Sequence, residues 1–238
     1  MRATVCLPTY NERENLERML LELGPFLGEG GRVLVIDDAS PDGTGELADR
    51  LAHELGYVDV LHREKKEGLG PAYLAGFRRA LADGADLILE MDCDFSHSPA
   101  DVARLIAAAA DADVVLGSRY VDGGRVENWN ALRRLVSSGG SLYARTILRV
   151  RVRDLTGGFK CYRRAVLEAI DLDAISAQGY AFQIETTYRA IQAGFRVVEI
   201  PITFVDREAG VSKMSKAIVA EAVWKVPKLK ASRLLGRL

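Results

Sequence analysis

The chain reads as an α/β protein built on a mostly parallel central sheet with helices on both faces. Three observations predict this. Short apolar, β-branched runs alternate with segments whose apolar residues recur at helical spacing. Polar residues cluster directly after several of those runs, where an open parallel sheet receives its ligands. No internal repeat, low-complexity tract or interdomain linker interrupts the order. With 238 residues, 48% of them hydrophobic and 27% charged, the chain is long enough to bury a sizeable core.

The elements follow in order. Ala3–Leu7 is a buried strand. Over Asn11–Leu23, Leu16, Met19, Leu20 and Leu23 share one helical face, with acidic residues early. Arg32–Ile36 is a second β-branched strand that ends at Asp37-Asp38. Ser40-Pro41-Asp42-Gly43-Thr44 is turn chemistry, and a helix follows from about Gly45 to Leu55. Val58–His62 is the third strand, and a helix over Tyr73–Ala82 leads to the fourth, Leu87–Met91. A helix over Pro99–Ala110 precedes the strand Val114–Leu116, and the glycine-containing Val121–Glu127 is predicted to be a mobile loop.

Charge and cysteine usage exclude several classes. A formal net charge of −1 carries no global signature for nucleic acid, so any electrostatic argument must be local. Cys6, Cys93 and Cys161 are far apart and form no CxxC pair, which points to reduced thiols in a cytosol rather than disulfides or zinc. His53, His62 and His97 show no ligand-like spacing. Ala3–Leu7 is too short for a signal peptide, and no window approaches the roughly 20 apolar residues of a bilayer span. The expectation is a protein that is soluble or rests on a surface.

The run Leu87-Ile88-Leu89-Glu90-Met91 stops at Asp92-Cys93-Asp94. In an extended chain, side chains two apart share a face, so Asp92 and Asp94 are predicted to point together off the strand end. Two such carboxylates repel, and a hard divalent cation relieves that repulsion. The competing reading is an ordinary acidic loop. Three strand ends together gather Tyr10, several carboxylates and backbone amides, a combination suited to a nucleotide. Tyr10 would stack on a base, Glu12 or Asp38 would accept bonds from base or ribose, and the cation would bind a diphosphate. Asn11 is equally readable as a helix cap, Asp42 as a turn residue and Asp37 as a buried strand-end acceptor. There is no GxxxxGK[ST], and Glu67-Gly68-Leu69-Gly70-Pro71 holds only a fragment of GxGxxG away from the first strand–helix turn. P-loop ATPase and Rossmann dehydrogenase chemistry are therefore disfavoured.

Pro8-Thr9-Tyr10-Asn11-Glu12, Asp37 to Thr44, Gly68-Leu69-Gly70, Met91 to His97 and Gly117-Ser118-Arg119-Tyr120 resemble the inverting glycosyltransferases of family two. Asp154 to Lys160, Gly179 to Glu185, Arg207 and Ser212-Lys213-Met214-Ser215 narrow the resemblance to polyprenol-phosphate (dolichol-phosphate) mannosyltransferases. It covers residues from about 4 to 216. It implies a GT-A type fold, GDP-mannose as donor, Mg or Mn as cofactor and a membrane-borne polyprenyl phosphate as acceptor. By the same resemblance Pro8, Tyr10, Glu12, Ile36 and Asp38 line the nucleotide site, and Asp92 and Asp94 hold the diphosphate through the metal, with Cys93 adding backbone contacts. Many members read Asp-Ala-Asp-Leu-Gln where this chain has Cys93 and Ser96, so the third metal contact is Ser96 or water. Arg119, Arg133, Ser137, Arg207 and Lys213 are the candidates for gripping phosphates, and sequence does not separate Arg134 and Ser138 from Arg133 and Ser137. Asp94 and Arg119 are the expected catalytic pair. Each arginine is also readable as a solvated surface charge.

The implied chemistry is consistent with the acceptor. A phosphate monoester, with a second pKa of about 6, is already ionised near neutral pH and needs no general base. It needs cations, and guanidinium forks suit it. The expected reaction is direct displacement at the anomeric carbon by a phosphate oxygen, inverting α to β. The runners-up are a glucosyl transfer from UDP-glucose and a family-two transfer to a hydroxyl.

Residues 1–210 are read as the catalytic domain and 211–238 as a basic amphipathic helix. Met214, Ile218, Ala222 and Val226 recur at i+4, Trp224 is an interfacial ring, Glu221 is the only acid, and Pro227 is expected to break or kink the helix. Such a helix suits either a peripheral membrane contact or packing on the catalytic domain with a frayed basic end. The expected location is the cytoplasmic face of a membrane, with no nucleic-acid partner.

Overall fold

The structure is a computed structural model that describes residues 1–175, 177, 179–206 and 216–235, without the side chains of 216–220 and 222. The first half follows the predicted alternation. β1 (Ala3–Thr9), α1 (Arg13–Leu23), β2 (Arg32–Asp37), α2 (Thr44–Leu55), β3 (Val58–His62), α3 (Leu69–Ala82), β4 (Leu87–Glu90), α4 (Ala100–Ala108) and β5 (Val114–Ser118) run in sequence. Then come β6 (Arg125–Glu127), α5 (Ala131–Leu148), β7 (Lys160–Arg163), α6 (Arg164–Ala169), α7 (Gly179–Gln192), β8 (Val197–Pro201), β9 (Thr203–Val205) and α8 (Lys216–Leu234).

Seven strands form one sheet in the order β3-β2-β1-β4-β7-β5-β8, parallel except for β7, which runs antiparallel between β4 and β5. The central strands β1, β2, β4 and β5 are buried almost throughout because both faces are covered. One face packs Leu16, Met19, Leu20 and Leu23 of α1 against Val5, Leu7, Val33 and Val35. The other packs Tyr73 and Phe77 of α3 against Cys6, Leu34 and Ile36. Gly76 permits that approach: a Cβ there would lie 2.4 Å from Ile36 Cδ1.

Three sequence expectations change. Arg125–Glu127, within the predicted mobile loop, is strand β6 and pairs in parallel with β9. The fourth strand ends at Glu90, where its pairing with β7 ends at Lys160, and the chain bends from Cys93 to His97. Asp92 and Asp94 are therefore placed by a bent loop rather than by strand alternation. Pro227 lies inside α8 without ending it. Val226 and Leu229 of α8 are buried in the same core as α3 and α7. Among the described residues, no helix is long and apolar enough to cross a membrane. All three cysteines are buried, and none is in a disulfide.

Candidate active site

The C-terminal ends of β1, β2 and β4 lie side by side, and each is followed by a non-glycine residue with positive φ: Asn11 (58°), Ala39 (56°) and Phe95 (58°). Left-handed backbone at such residues is uncommon and costly, and it turns each chain sharply at the sheet rim. Asp37 is absorbed in holding one of these turns: its Oδ1 accepts from Ser40 Oγ at 2.6 Å and Thr9 Oγ1 at 3.3 Å. Asp42 likewise accepts from Thr44 Oγ1 at 2.6 Å. Asn11 does not cap α1; Glu12 occupies that position.

Asp38 is brought against β1, its N–H bonding Thr9 O at 3.0 Å. Its buried carboxylate accepts from Arg63 Nη1 and from the amides of Glu67 (3.2 Å) and Gly68 (3.3 Å). Pro8 and Ile36 are register partners across the two strands. Glu12 is fixed through Thr44 Oγ1, which accepts its N–H at 3.1 Å. The Lys66 ammonium sits 3.6 Å from the Tyr10 ring centroid, covering the ring proposed for base stacking. These residues form one rim, as the sequence suggested. Arg63 and Lys66, which sequence reasoning passed over, supply its positive charge.

Asp92 and Asp94 are each oriented by a hydroxyl. Tyr73, fully buried, donates to Asp92 Oδ1 at 3.1 Å. Asp94 Oδ1 accepts from the N–H of Ser96 at 3.1 Å and its Oγ at 2.5 Å. Ser96 thus serves first as an anchor for Asp94. Among the described residues no group of three or more His, Cys, Asp or Glu gathers to hold a metal. The donor set nonetheless fits Mg²⁺ or Mn²⁺, since a hard cation of this kind is commonly held by one or two carboxylates together with substrate phosphates and water.

Beside this rim lies a cluster of guanidinium and aromatic groups. Arg119, at the end of β5, is almost fully buried and bonded to Asp154 and to Thr156 Oγ1 (3.0 Å). Burial pulls its pKa down, but the charge and hydrogen bonds of Asp154 outweigh that and raise it. Conversely, burial alone would raise Asp154, and Arg119 holds it below the usual carboxylate range. The Arg119 guanidinium lies 5.2 Å from the Tyr120 ring centroid, 5.4 Å from Phe204 and 5.6 Å from Trp129. Tyr120 donates to Ser137 Oγ at 2.7 Å, and Arg133 stacks 4.4 Å over Trp129 while Nη1 bonds Asp206 at 2.6 Å. Arg119, Arg133 and Ser137 therefore converge. Arg134 instead donates to Val126 O and Ser138 to the carbonyl of Arg134, both exposed on α5 and away from Arg119. Arg207 and Lys213 lie outside the described residues.

His97 joins the two halves. Its ring stacks 4.8 Å from Phe159 and meets Phe204 edge-on at 5.2 Å, within electrostatic reach of Asp94, Arg119 and Asp154. Burial is the main cause of its pKa falling to about 4, so the ring is neutral near pH 7. Trp129 Nε1 and Arg133 Nε are buried with no hydrogen-bond partner among the described residues. Unpaired buried donors are costly, and these two sit on stacked groups next to Arg119. Trp129, Asp154 and His97 are further site residues that sequence reasoning did not single out; the last two fell inside recognised motif segments.

Beneath Asp92 lies a sealed polar layer. Lys160 Nζ donates to Gln183 Oε1 (2.5 Å) and O (2.8 Å), and Tyr162 donates to Glu90 Oε1 at 3.0 Å. Burial raises the Glu90 pKa, partly offset by Lys160, and lowers Lys160 to about 8, partly offset by Glu90.

Comparison with known proteins agrees with this architecture. The sequence profile described as Glycosyl transferase family 2 matches residues 4–171. An undecaprenyl-phosphate mannosyltransferase of Micrococcus luteus is 52% identical over 223 residues, covering 94% of this chain and 91% of its own. A polyprenol monophosphomannose synthase of Mycolicibacterium smegmatis is 50% identical over 227 residues, covering 94% and 85%. Among solved structures, glucosyl-3-phosphoglycerate synthase from Mycobacterium tuberculosis, in complex with Mn²⁺, UDP and phosphoglyceric acid, superposes with a TM-score of 0.72 at 17% identity. That match covers 96% of this chain and 78% of the other. The fold is of the GT-A type, and the chain is a glycosyltransferase belonging to glycosyl transferase family 2.

Proposed function

We propose that this enzyme transfers mannose from GDP-mannose to a polyprenyl phosphate, with inversion, at the cytoplasmic face of a membrane. The observation that carries the reading is two oriented carboxylates, Asp92 and Asp94, linked through His97 to a guanidinium-and-aromatic cluster whose buried donors, Trp129 Nε1 and Arg133 Nε, have no partner among the described residues. The relatives at 52% and 50% identity bear names that support the mannosyl group and the polyprenyl acceptor.

Pro8, Tyr10, Glu12, Ile36 and Asp38 form the wall for the nucleoside, with the Cys93 backbone beside the diphosphate. Asp92 and Asp94 would hold Mg²⁺ or Mn²⁺, which supplies charge stabilisation for the departing diphosphate. Arg119 and Arg133, with Ser137, hold the acceptor phosphate against the anomeric carbon; Arg207 and Lys213 are proposed to join them. The dianion brings its own nucleophilic oxygen, so these residues position and screen rather than remove a proton. Asp154 keeps Arg119 aimed.

The test is a donor-by-acceptor assay with purified protein, Mn²⁺ and a short, water-soluble polyprenyl phosphate. GDP-mannose should yield GDP and an acid-labile mannosyl phosphate, UDP-glucose should yield little, and Asp94→Ala should abolish release. Turnover of UDP-glucose in preference to GDP-mannose, or undiminished turnover in the variant, would overturn the reading.

A further inference from the structure

Among the described residues, ten large apolar side chains are exposed, and eight of them fall on α5 or on α8 and the residue after it. Scattered exposed leucines are ordinary; a concentration of this kind is not. On α5, Leu132 and Leu135 are each 70% exposed, with Leu142 at 57% and Val136 at 38%. Their spacing places them on one side of the helix, over a rise of about 15 Å. The opposite side carries half-buried Arg133 and Ser137 and buried Ser141, Ala144 and Leu148. α5 therefore turns the residues proposed for the acceptor phosphate inward and a row of leucines outward. α8 is docked against it, Tyr143 donating to Val223 O at 2.9 Å, and next to that contact Trp224 is 80% exposed.

We infer that the outward face of α5, extended by Val223 and Trp224 of α8, seats in the interfacial layer of an anionic bilayer. The inference rests on the proposed lipid acceptor and deepens it: the membrane contact is made by α5 as much as by the C-terminal helix.

Charge selects this occupant. The chain as a whole has a net charge of −1, yet α5 contains three arginines and no acid, and α8 contains five basic residues and only Glu221. Leucines with an indole, on two helices whose charges are nearly all positive, match an anionic headgroup region, where apolar burial and electrostatic attraction add. Seating Leu132 and Leu135 also brings their neighbour Arg133, and the cluster behind it, to headgroup depth. A lipid phosphate then reaches the site without its chain leaving the bilayer.

Flotation with vesicles of equal parts phosphatidylcholine and phosphatidylglycerol tests this with the full chain. The wild type should bind, less tightly in high salt, and Leu132→Glu/Leu135→Glu should bind about tenfold more weakly or worse. Turnover of the short, soluble acceptor should persist in that variant, which separates failure of the membrane face from failure of the mannosyl reading. In a second arm, Leu135→Cys carries an environment-sensitive dye, labelled selectively because Cys6, Cys93 and Cys161 are buried. Its emission should shift to the blue on vesicles. Unchanged flotation of a folded double variant, no spectral shift, or a lipid-independent dimer that the double variant disrupts would overturn the inference.

Discussion

Asp154 grips Arg119 along one whole edge of its guanidinium: Oδ2 accepts from Nε at 2.7 Å and Oδ1 from Nη2 at 2.6 Å. The same Oδ2 accepts the backbone N–H of Arg119 at 3.0 Å, so fork and main chain are locked together. The Nη1 group is the part of the fork turned away from Asp154. A phosphate would therefore meet an arginine already oriented, with little left to order on binding.

This pairing predicts a large stability effect. Asp154→Ala leaves a buried guanidinium without its counter-charge, and breaking a pair of this kind costs about 3–5 kcal/mol. Urea unfolding of the variant should show a loss of that size with an unchanged slope. A loss under about 1 kcal/mol, the range of a solvated surface pair, would show that the two charges are not held as described.

Tyr73 is the second case of one residue aiming another. Its ring is stacked on Phe182, with centroids 6.0 Å apart and planes within 6°, and its hydroxyl reaches Asp92. Tyr73→Phe keeps the stack and removes only the bond. Mn²⁺ binding in the presence of GDP, followed by calorimetry, should weaken by about tenfold or more, as for other residues that orient a metal ligand. Equal affinity in the variant would mean that the hydroxyl does not set the carboxylate.

How much of this was readable beforehand differs sharply between the halves of the chain. Strands one to five stand out because each is a short run rich in apolar and β-branched residues, and their boundaries move by only a few positions. The carboxylate rim followed from where those runs end. Beyond Glu127 the signal fails for a physical reason: buried polar residues interrupt the apolar periodicity. β7, Lys160–Arg163, reads as surface, yet Lys160 is wholly buried because Gln183 satisfies its ammonium. α7 hides in the same way, since Gln183, Glu185, Thr186 and Thr187 are all buried. The partnership of Asp154 with Arg119 spans 35 residues and depends on how the site folds, which spacing along the chain does not express.

Lys160 gives a pH signature. Its folded pKa of about 8 lies below the usual value of 10.5, burial being the main cause, so the folded state disfavours the charged form. Protons therefore bind the unfolded chain more readily between those values, and the contribution of Lys160 to stability rises with pH through that window. The stability difference between the wild type and Lys160→Met should grow in favour of the wild type from about pH 8 to about pH 10.5. A difference constant across that window would contradict the burial assigned to Lys160.

The central claim is that a divalent cation and the donor diphosphate meet at Asp92 and Asp94. Manganese anomalous scattering from crystals grown with GDP and Mn²⁺ addresses it directly. The account predicts one strong peak within coordination distance of those carboxylates and of the diphosphate oxygens. A GDP seated on the Tyr10 and Asp38 rim, with manganese absent from both aspartates, would contradict it.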